Sequence, residues 1–444
     1  MCFSEMKNEG FVARVRCHET VILGRHHFLR PVLARPRPRW QFPGDREHDA
    51  PARRPGKRRL RRLRCGVTHE TGESMRKNPM AGRLGGILAC VLALAGCRQE
   101  TRAPQAPAGA DQSGPAVLAE SFVSVLTPED NIDSPAAWAA PDDKVWVIAT
   151  AKATDRLVIY DGDTGETLQV FGSTGSGAGQ FDRPNGVAVV DDLLFVVERD
   201  NRRVQVLSLP GFEHVLTFAT GDLVKPYGLW VNKTAEGYEV YVTDAYMAGE
   251  DAQGEDILPP LSELDRRVKR YEVTRSGDSL AAILVSVFGD TGEQGALRVV
   301  ESIWGDPDND RLLIAEEDET YANELKVYDL AGSFAGRTIG RDVFQAQSEG
   351  IALKTCAGGG GWWITTEQGK GRTVFHLFDR QSLEHVGAVA GKTVANTDGI
   401  WLHDAPTAKF PDGVLYAVHD DQGMVAFDWR GLSDALSLPA CPRE

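Results

Sequence analysis

The chain has 444 residues, with 49 Lys and Arg against 63 Asp and Glu, a formal charge of −14. That charge is uneven: residues 1–74 carry 17 basic and 8 acidic side chains, a net of +9, which leaves −23 on the other 370. So acidic a body excludes a general nucleic-acid binder, whose affinity comes from neutralising phosphates with Lys and Arg.

The basic part contains "RRPGKRRLRRLR" at 53–64. Basic runs can be nucleic-acid arms, but this one is Pro-rich, lacks apolar periodicity and precedes a segment that belongs at a chain start. That segment, "MRKNPMAGRLGGILACVLALAGCRQE", begins at Met75. A positive n-region, a short apolar run and small residues before a Cys are the layout of a secretory signal. The run is too short to span a bilayer comfortably. We therefore expect residues 1–74 to be upstream translation and 75–96 to be a signal peptide. The end, "LALAGC", resembles the bacterial lipobox, which implies a mature chain starting at a lipidated Cys97. The expected location is the bacterial cell envelope, anchored by lipid, with Arg98 after the Cys suiting the outer membrane. Residues 97–117, rich in Pro, Ala and Gln, read as a flexible tether. Of seven Cys, only Cys97, Cys356 and Cys441 then remain. Two thiols in an oxidising compartment invite one disulfide, the alternative being two free buried thiols.

From about residue 118 to 440 the chain is almost free of helical pattern. Short runs of Val, Ile, Leu, Tyr and Trp alternate with Gly, Asp and Asn turns. One unit recurs. Its openers are "SPAAWAA", "RPNGVAV", "KPYGLWV", "VESIWG", "QSEGIAL" and "NTDGIWL", aligned on Ala137, Gly186, Gly228, Ser302, Gly350 and Gly399. Each opener leads to a second strand, such as "RLLIAEEDE" or "LLFVVERD", and then to a third, such as "ELKVYDL". The long step, from Gly228 to Ser302, holds an acidic insertion around 244–266. Fourth strands follow five units and the sixth lacks one, whereas "SFVSVLT" before the first opener is spare. The pattern predicts an all-β, six-bladed β-propeller whose N-terminal strand closes the last blade, a fold that leaves only short, protected edges.

In such a ring the innermost strands line one axis. The residue before each small one reads Ala136, Asn185, Tyr227, Glu301, Glu349 and Asp398, and adjacent second strands end in Glu316 and Glu317. Carboxylates that close disfavour joint ionisation unless a cation neutralises them. Oxygen donors from several segments, without His or Cys, suit Ca²⁺ rather than Zn²⁺. Left to water, the same residues would be an acidic rim. The other side of the ring offers Lys152, Arg199 and Tyr227, which beside calcium could hold a phosphate. No nucleophile motif is present: no G-x-S-x-G, no Cys with a plausible His partner and no phosphate-cradling Gly loop.

These residues resemble the β-propeller phytases, six-bladed calcium-dependent enzymes that remove phosphate from myo-inositol hexakisphosphate. "DSPAAW" resembles that family's D-D-P-A-x-W entry, "IAEEDE" with "LKVYDL" its fourth blade, "SEG" its D-x-E-G stretch, and "NTDGIWL" with "FPDGVLYAVHDD" its closing blade. The resemblance covers about 120–430. It implies a phosphoric monoester hydrolase of the 3-phytase type in which metal-activated water attacks. Asp133, Glu301, Glu316, Glu317, Glu349 and Asp398 would be calcium ligands. Lys152, Arg199 and Tyr227 would contact phosphate, and Glu301, Glu317, Lys152 and Arg199 would take part in catalysis. The expected partner is a phytate-like small molecule, with no nucleic acid, membrane contact through the lipid anchor alone, and a monomeric protein. The chain also departs from the family. Val187 and Val189 stand where its second opener has Asp and Arg, Gln347 replaces the acid before E-G, and "VTDAYM" lacks its third-blade Lys. The stretch from Gly179 to Leu207 looks like an NHL repeat, so the alternative is a non-catalytic propeller lipoprotein that binds a ligand or protein at the same funnel.

Mass spectrometry of the native N-terminus should find a lipid-modified Cys97 and no peptide from residues 1–74. Detection of any such peptide would exclude Cys97 as the mature start.

Overall fold

The computed structural model describes residues 114–277 and 279–443. The expected upstream translation, signal peptide, Cys97 and most of the tether lie outside the described residues. Within them, six sheets of at least four strands, antiparallel but for one added edge strand, follow one another along the chain. The first three blades open with Ile132–Ala139, Pro184–Val190 and Pro226–Lys233, the last three with Ile303–Asp306, Gln347–Thr355 and Ile400–His403. Each opener packs on the next, and the sixth returns to the first, which closes the ring. The fold is the six-bladed β-propeller expected from the repeats.

Blades are covered by neighbours on both faces, so their strands need no polar side. "LLFVVE" at Leu193–Glu198 is buried throughout. The apolar core accordingly divides into six clusters, one per interface between adjacent blades. Fully buried rings such as Phe195, Tyr241 and Trp363 each contribute on the order of 2–3 kcal/mol in transfer free energy.

The last blade is completed from the other chain end. Phe122 and Val123 pair antiparallel with Ala426 and Val425 in Gly423–Asp428. One boundary differs from expectation. Ala116–Leu118, assigned largely to the tether, pairs in parallel with His385–Gly391 and adds a fifth strand to blade five. A three-residue parallel pairing has no period of its own, and only the docking edge reveals it. The 244–266 insertion in blade three forms a small hairpin, Gly249–Glu250 with Asp256–Ile257, and a 3₁₀ turn at Leu261–Glu263.

Trp304 of blade four and Trp401 of blade six meet edge to face, 5.3 Å between centroids, although a whole blade separates them in the ring. With residues of all six openers they line a cavity of about 60 Å³. After the sixth blade a helix, Trp429–Ala435, is capped by the Asp428 side chain accepting from the Arg430 N–H. The tail then returns to blade five, where Cys441 is bonded to Cys356 with Cα atoms 5.0 Å apart.

The bond closes a loop of 85 residues, which in the chain-entropy model is worth roughly 3–5 kcal/mol. Cys441→Ser should therefore lower the melting temperature by several degrees under oxidising conditions, and reductant should erase the difference between variant and wild type.

Candidate metal centre

Strand registers define which residues are equivalent around the axis. Four of the six inner strands carry a bulge near the start, so two residues escape pairing: Asp133–Ser134, Asn185–Gly186, Tyr227–Gly228 and Glu349–Gly350, whereas in blades four and six the corresponding pairs, Glu301–Ser302 and Asp398–Gly399, lie just before the paired strand. Bulges of this kind re-aim side chains next to functional sites. The small residue in each pair is a steric need. A Cβ on Gly228 would lie 2.1 Å from the Glu301 carbonyl oxygen, and one on Gly399 would lie 2.8 Å from that of Asp133. The axial ring is thus Asp133, Asn185, Tyr227, Glu301, Glu349 and Asp398. Sequence alignment had put Ala136 in the first place. The structure corrects this by three residues, since Ala136 is wholly buried in the cluster between blades one and two.

Glu301, Glu317 and Glu349 bring one carboxylate oxygen each within 4.8 Å of one another. Among the described residues none has a Lys or Arg partner, and only Glu317 has a hydrogen bond, from the Ser302 N–H at 3.2 Å. Burial, with Asp133 next in effect, pushes the Glu301 carboxyl up to about 7. Burial and then Glu349 hold Glu317 well above the usual carboxylate range, and burial and then Asp398 do the same to Glu349. A cavity of about 30 Å³ opens between Asp133, Tyr227, Glu301, Glu349 and Asp398.

Lys152 divides the ring. Its Nζ lies 2.7 Å from Asp133 and 3.3 Å from Asp398. Burial works against its charge, but the two carboxylates outweigh that and hold its pKa above the ordinary lysine value. Lys152, expected on phosphate, is thus spent on neutralising one half of the ring. Arg199 forms a two-point pair with Asp200 and donates to the Tyr227 hydroxyl at 3.3 Å. Burial, then the charge of Glu301, raises the Tyr227 pKa.

Glu316 is a correction. Successive residues of a strand face opposite ways, and Glu316 turns from the cluster to accept the N–H groups of Arg298, Val299 and Asp318. Its equivalents do the same work. Asp244 accepts from the N–H groups of Val224 and Lys225, and Glu198 accepts from that of Asp182. This recurring acid pins the loop entering the inner strand in blades two, three and four, so a carboxylate at that place belongs to the repeat rather than to a site. Sequence reasoning missed Gln368, whose amide donates to Asp398, and Asp421, whose carboxyl burial raises against the opposing effects of Lys152 and Asp398. Asn185 was placed in the ring but given no role. It is 1% exposed, and neither its amide nitrogen nor its oxygen has a partner.

Three carboxylates without a basic partner, two of them buried and Glu301 half-buried, with an unpartnered amide and no His or Cys, make a donor set of hard oxygens. That chemistry fits Ca²⁺ better than Zn²⁺ or a transition metal.

No protein-family model matches the chain, and no curated protein is similar to it in sequence. Among solved structures, it is similar to a chain of the crystal structure of a nidogen/laminin complex, at 14% identity over 62% of this chain and 86% of that one, TM-score 0.39. It is also similar to hydrazine synthase of Kuenenia stuttgartiensis, at 12% identity over 70% and 77%, TM-score 0.35.

Between about pH 4.5 and 7, Glu301 binds more proton folded than unfolded, so metal-free stability should fall as pH rises through that window. Calcium at 100-fold over its Kd should restore about 2.7 kcal/mol and flatten the dependence. Glu317→Gln should raise melting in chelator and blunt the calcium response, whereas Glu316→Gln should lower melting with or without calcium. Exposed Glu319→Gln should change neither. Thermal melts of the four proteins across pH, with and without chelator, check this, and a wild type indifferent to calcium would contradict it.

Proposed function

We propose that the chain is a calcium-dependent phosphomonoesterase, similar to the β-propeller phytases, that releases phosphate from a polyphosphorylated small molecule such as myo-inositol hexakisphosphate. The observation that carries this reading is the trio Glu301, Glu317 and Glu349, the first half-buried and the other two buried, gathered without a basic partner among the described residues.

Glu301, Glu317 and Glu349 would hold the cation, with Asp133 and Asp398 completing the acidic wall. Bound calcium would screen the phosphate charge and lower the pKa of an attacking water. The chain's own part is positional. Arg199 presents a planar fork that Asp200 occupies, and phosphate oxygens can compete for that fork by the same bidentate geometry. Tyr227, kept protonated by its surroundings, can donate to a phosphate oxygen. Lys152 stays between Asp133 and Asp398 as a fixed counter-charge. The resemblance of "LALAGC" to a lipobox supports a place at the cell envelope.

One observation favours a second reading. Val187 is buried and Val189 packs beside it in the cluster between blades one and two, so the Asp and Arg that the phytases carry there have no counterpart. A binding propeller with calcium and no hydrolysis would need neither.

Phosphate release from myo-inositol hexakisphosphate, with excess calcium and with chelator, separates the two. The hydrolase reading expects release only with calcium, at least about 100-fold less for Glu317→Gln, and a raised KM for Arg199→Ala. Calcium-stabilised protein that releases no phosphate would leave the binding reading.

A further inference from the structure

We propose that the outer edge of blade three, with the acidic arm inserted beside it, docks an extended basic and apolar segment of a partner protein, which adds to the blade as a further strand. The edge strand Ser279–Phe288 is the longest in the described chain, at ten residues, and holds no charged side chain. Its outer side pairs with no strand among the described residues. Ile283, Leu284, Val285 and Val287 are exposed, Ile283 at 59%.

Proteins blunt such edges with charge, brevity or cover. Blade two's outer strand begins at Glu213, blade four's contains Arg337, blade six's has two residues, and blade five's is covered by Ala116–Leu118. Blade one's is half the length of blade three's. Blade three has only a bulge at Val285.

Leu284 and Val287 line a cavity of about 480 Å³, shared with Val224, Met247 and Pro259 and with Asp222, Glu263, Arg266 and Lys269; the two basic residues there are already paired, Arg266 with Asp265 and Lys269 with Asp244. The arm over it, residues 244–265, has seven acidic side chains and no Lys or Arg. Lys269 holds Asp244 and Lys225 holds Asp256, while Glu250, Asp251, Glu255 and Glu263 have no basic partner among the described residues. An apolar edge under unneutralised acids selects a strand whose apolar side chains alternate with Lys or Arg, backbone bonds giving affinity and side chains giving choice. Blade five already accepts such an added strand from the chain itself. A second copy is the wrong occupant, because pairing edge to edge would oppose two acidic arms.

The test uses the purified full chain and a fluorescein-labelled nine-residue peptide alternating Val with Lys, with a Val–Glu peptide as control, read by anisotropy. The Lys peptide should bind saturably and the Glu peptide should not. Affinity should fall at least about tenfold for Leu284→Lys with Val287→Lys, and separately for Glu250→Gln, Asp251→Asn and Glu255→Gln combined. Melting curves should show all variants folded, since the altered side chains are exposed. Absence of saturable binding, equal binding of both peptides, or variants that bind as wild type would overturn the proposal. So would a dimer in sedimentation that the Leu284 and Val287 changes dissociate, which would assign the edge to a second copy.

Discussion

Around the axis, each blade grips the backbone of the next, and the centre depends on that grip. The Gly350 N–H donates to the Asp398 carbonyl at 2.9 Å and the Gly399 N–H to that of Asp133 at 3.0 Å. Where the second strand carries Thr, its hydroxyl does the same: Thr150 to the Asn185 carbonyl at 2.6 Å, Thr243 to that of Glu301 at 2.8 Å. With the carbonyl fixed from the neighbouring blade, the side chain of the same residue must turn toward the axis. Six chain segments far apart in sequence thereby deliver their side chains to one place, and the small residue of each opener exists so that the backbones can approach.

That convergence is electrostatically expensive, and the two halves of the ring meet the cost differently. Asp133 and Asp398 share the Lys152 ammonium, supplied from within the chain. Glu301, Glu317 and Glu349 have no such partner, and burial alone already opposes their charge. A carboxylate deprived of water and of a counter-ion takes up a proton or a metal. Solvation by a rim is not open to Glu317 and Glu349, which are nearly inaccessible. The choice that sequence left between a solvated rim and a cation site is therefore narrowed by burial, a quantity that spacing does not contain.

The fold was legible because its repeat has a mechanical cause. Glycine recurs where backbones touch, so openers aligned on Gly186, Gly228, Gly350 and Gly399 count the blades correctly. Blade one misled because Ser134 serves as its small residue while Ala136 and Ala137 offer a better sequence match three places on. The candidate site was legible in part. Which residues of "AEEDE" face inward depends on strand parity, and the recurrence of the same acid as Glu198 and Asp244 was the available signal that Glu316 belongs to the scaffold. Gln368 and Asp421 carried none, since each matters only through the neighbour it meets, Asp398. Ala116–Leu118 was invisible for the same reason.

The closing strand has a consequence in time. Ser124, beside that strand, accepts the N–H of Met424, 300 residues later. At about 5–20 residues per second of synthesis, this early strand waits roughly 15–60 s for the last. Until then blade six does not exist, blade one has a bare face, and the axial acids from blades four and five emerge with no ring around them. Local hairpins can form as the chain lengthens, but the ring closes only after Gly423–Asp428 has appeared. Assembly of the centre is thus a late, all-at-once event, and a chain truncated in blade six should be lost as a whole rather than retain five working blades.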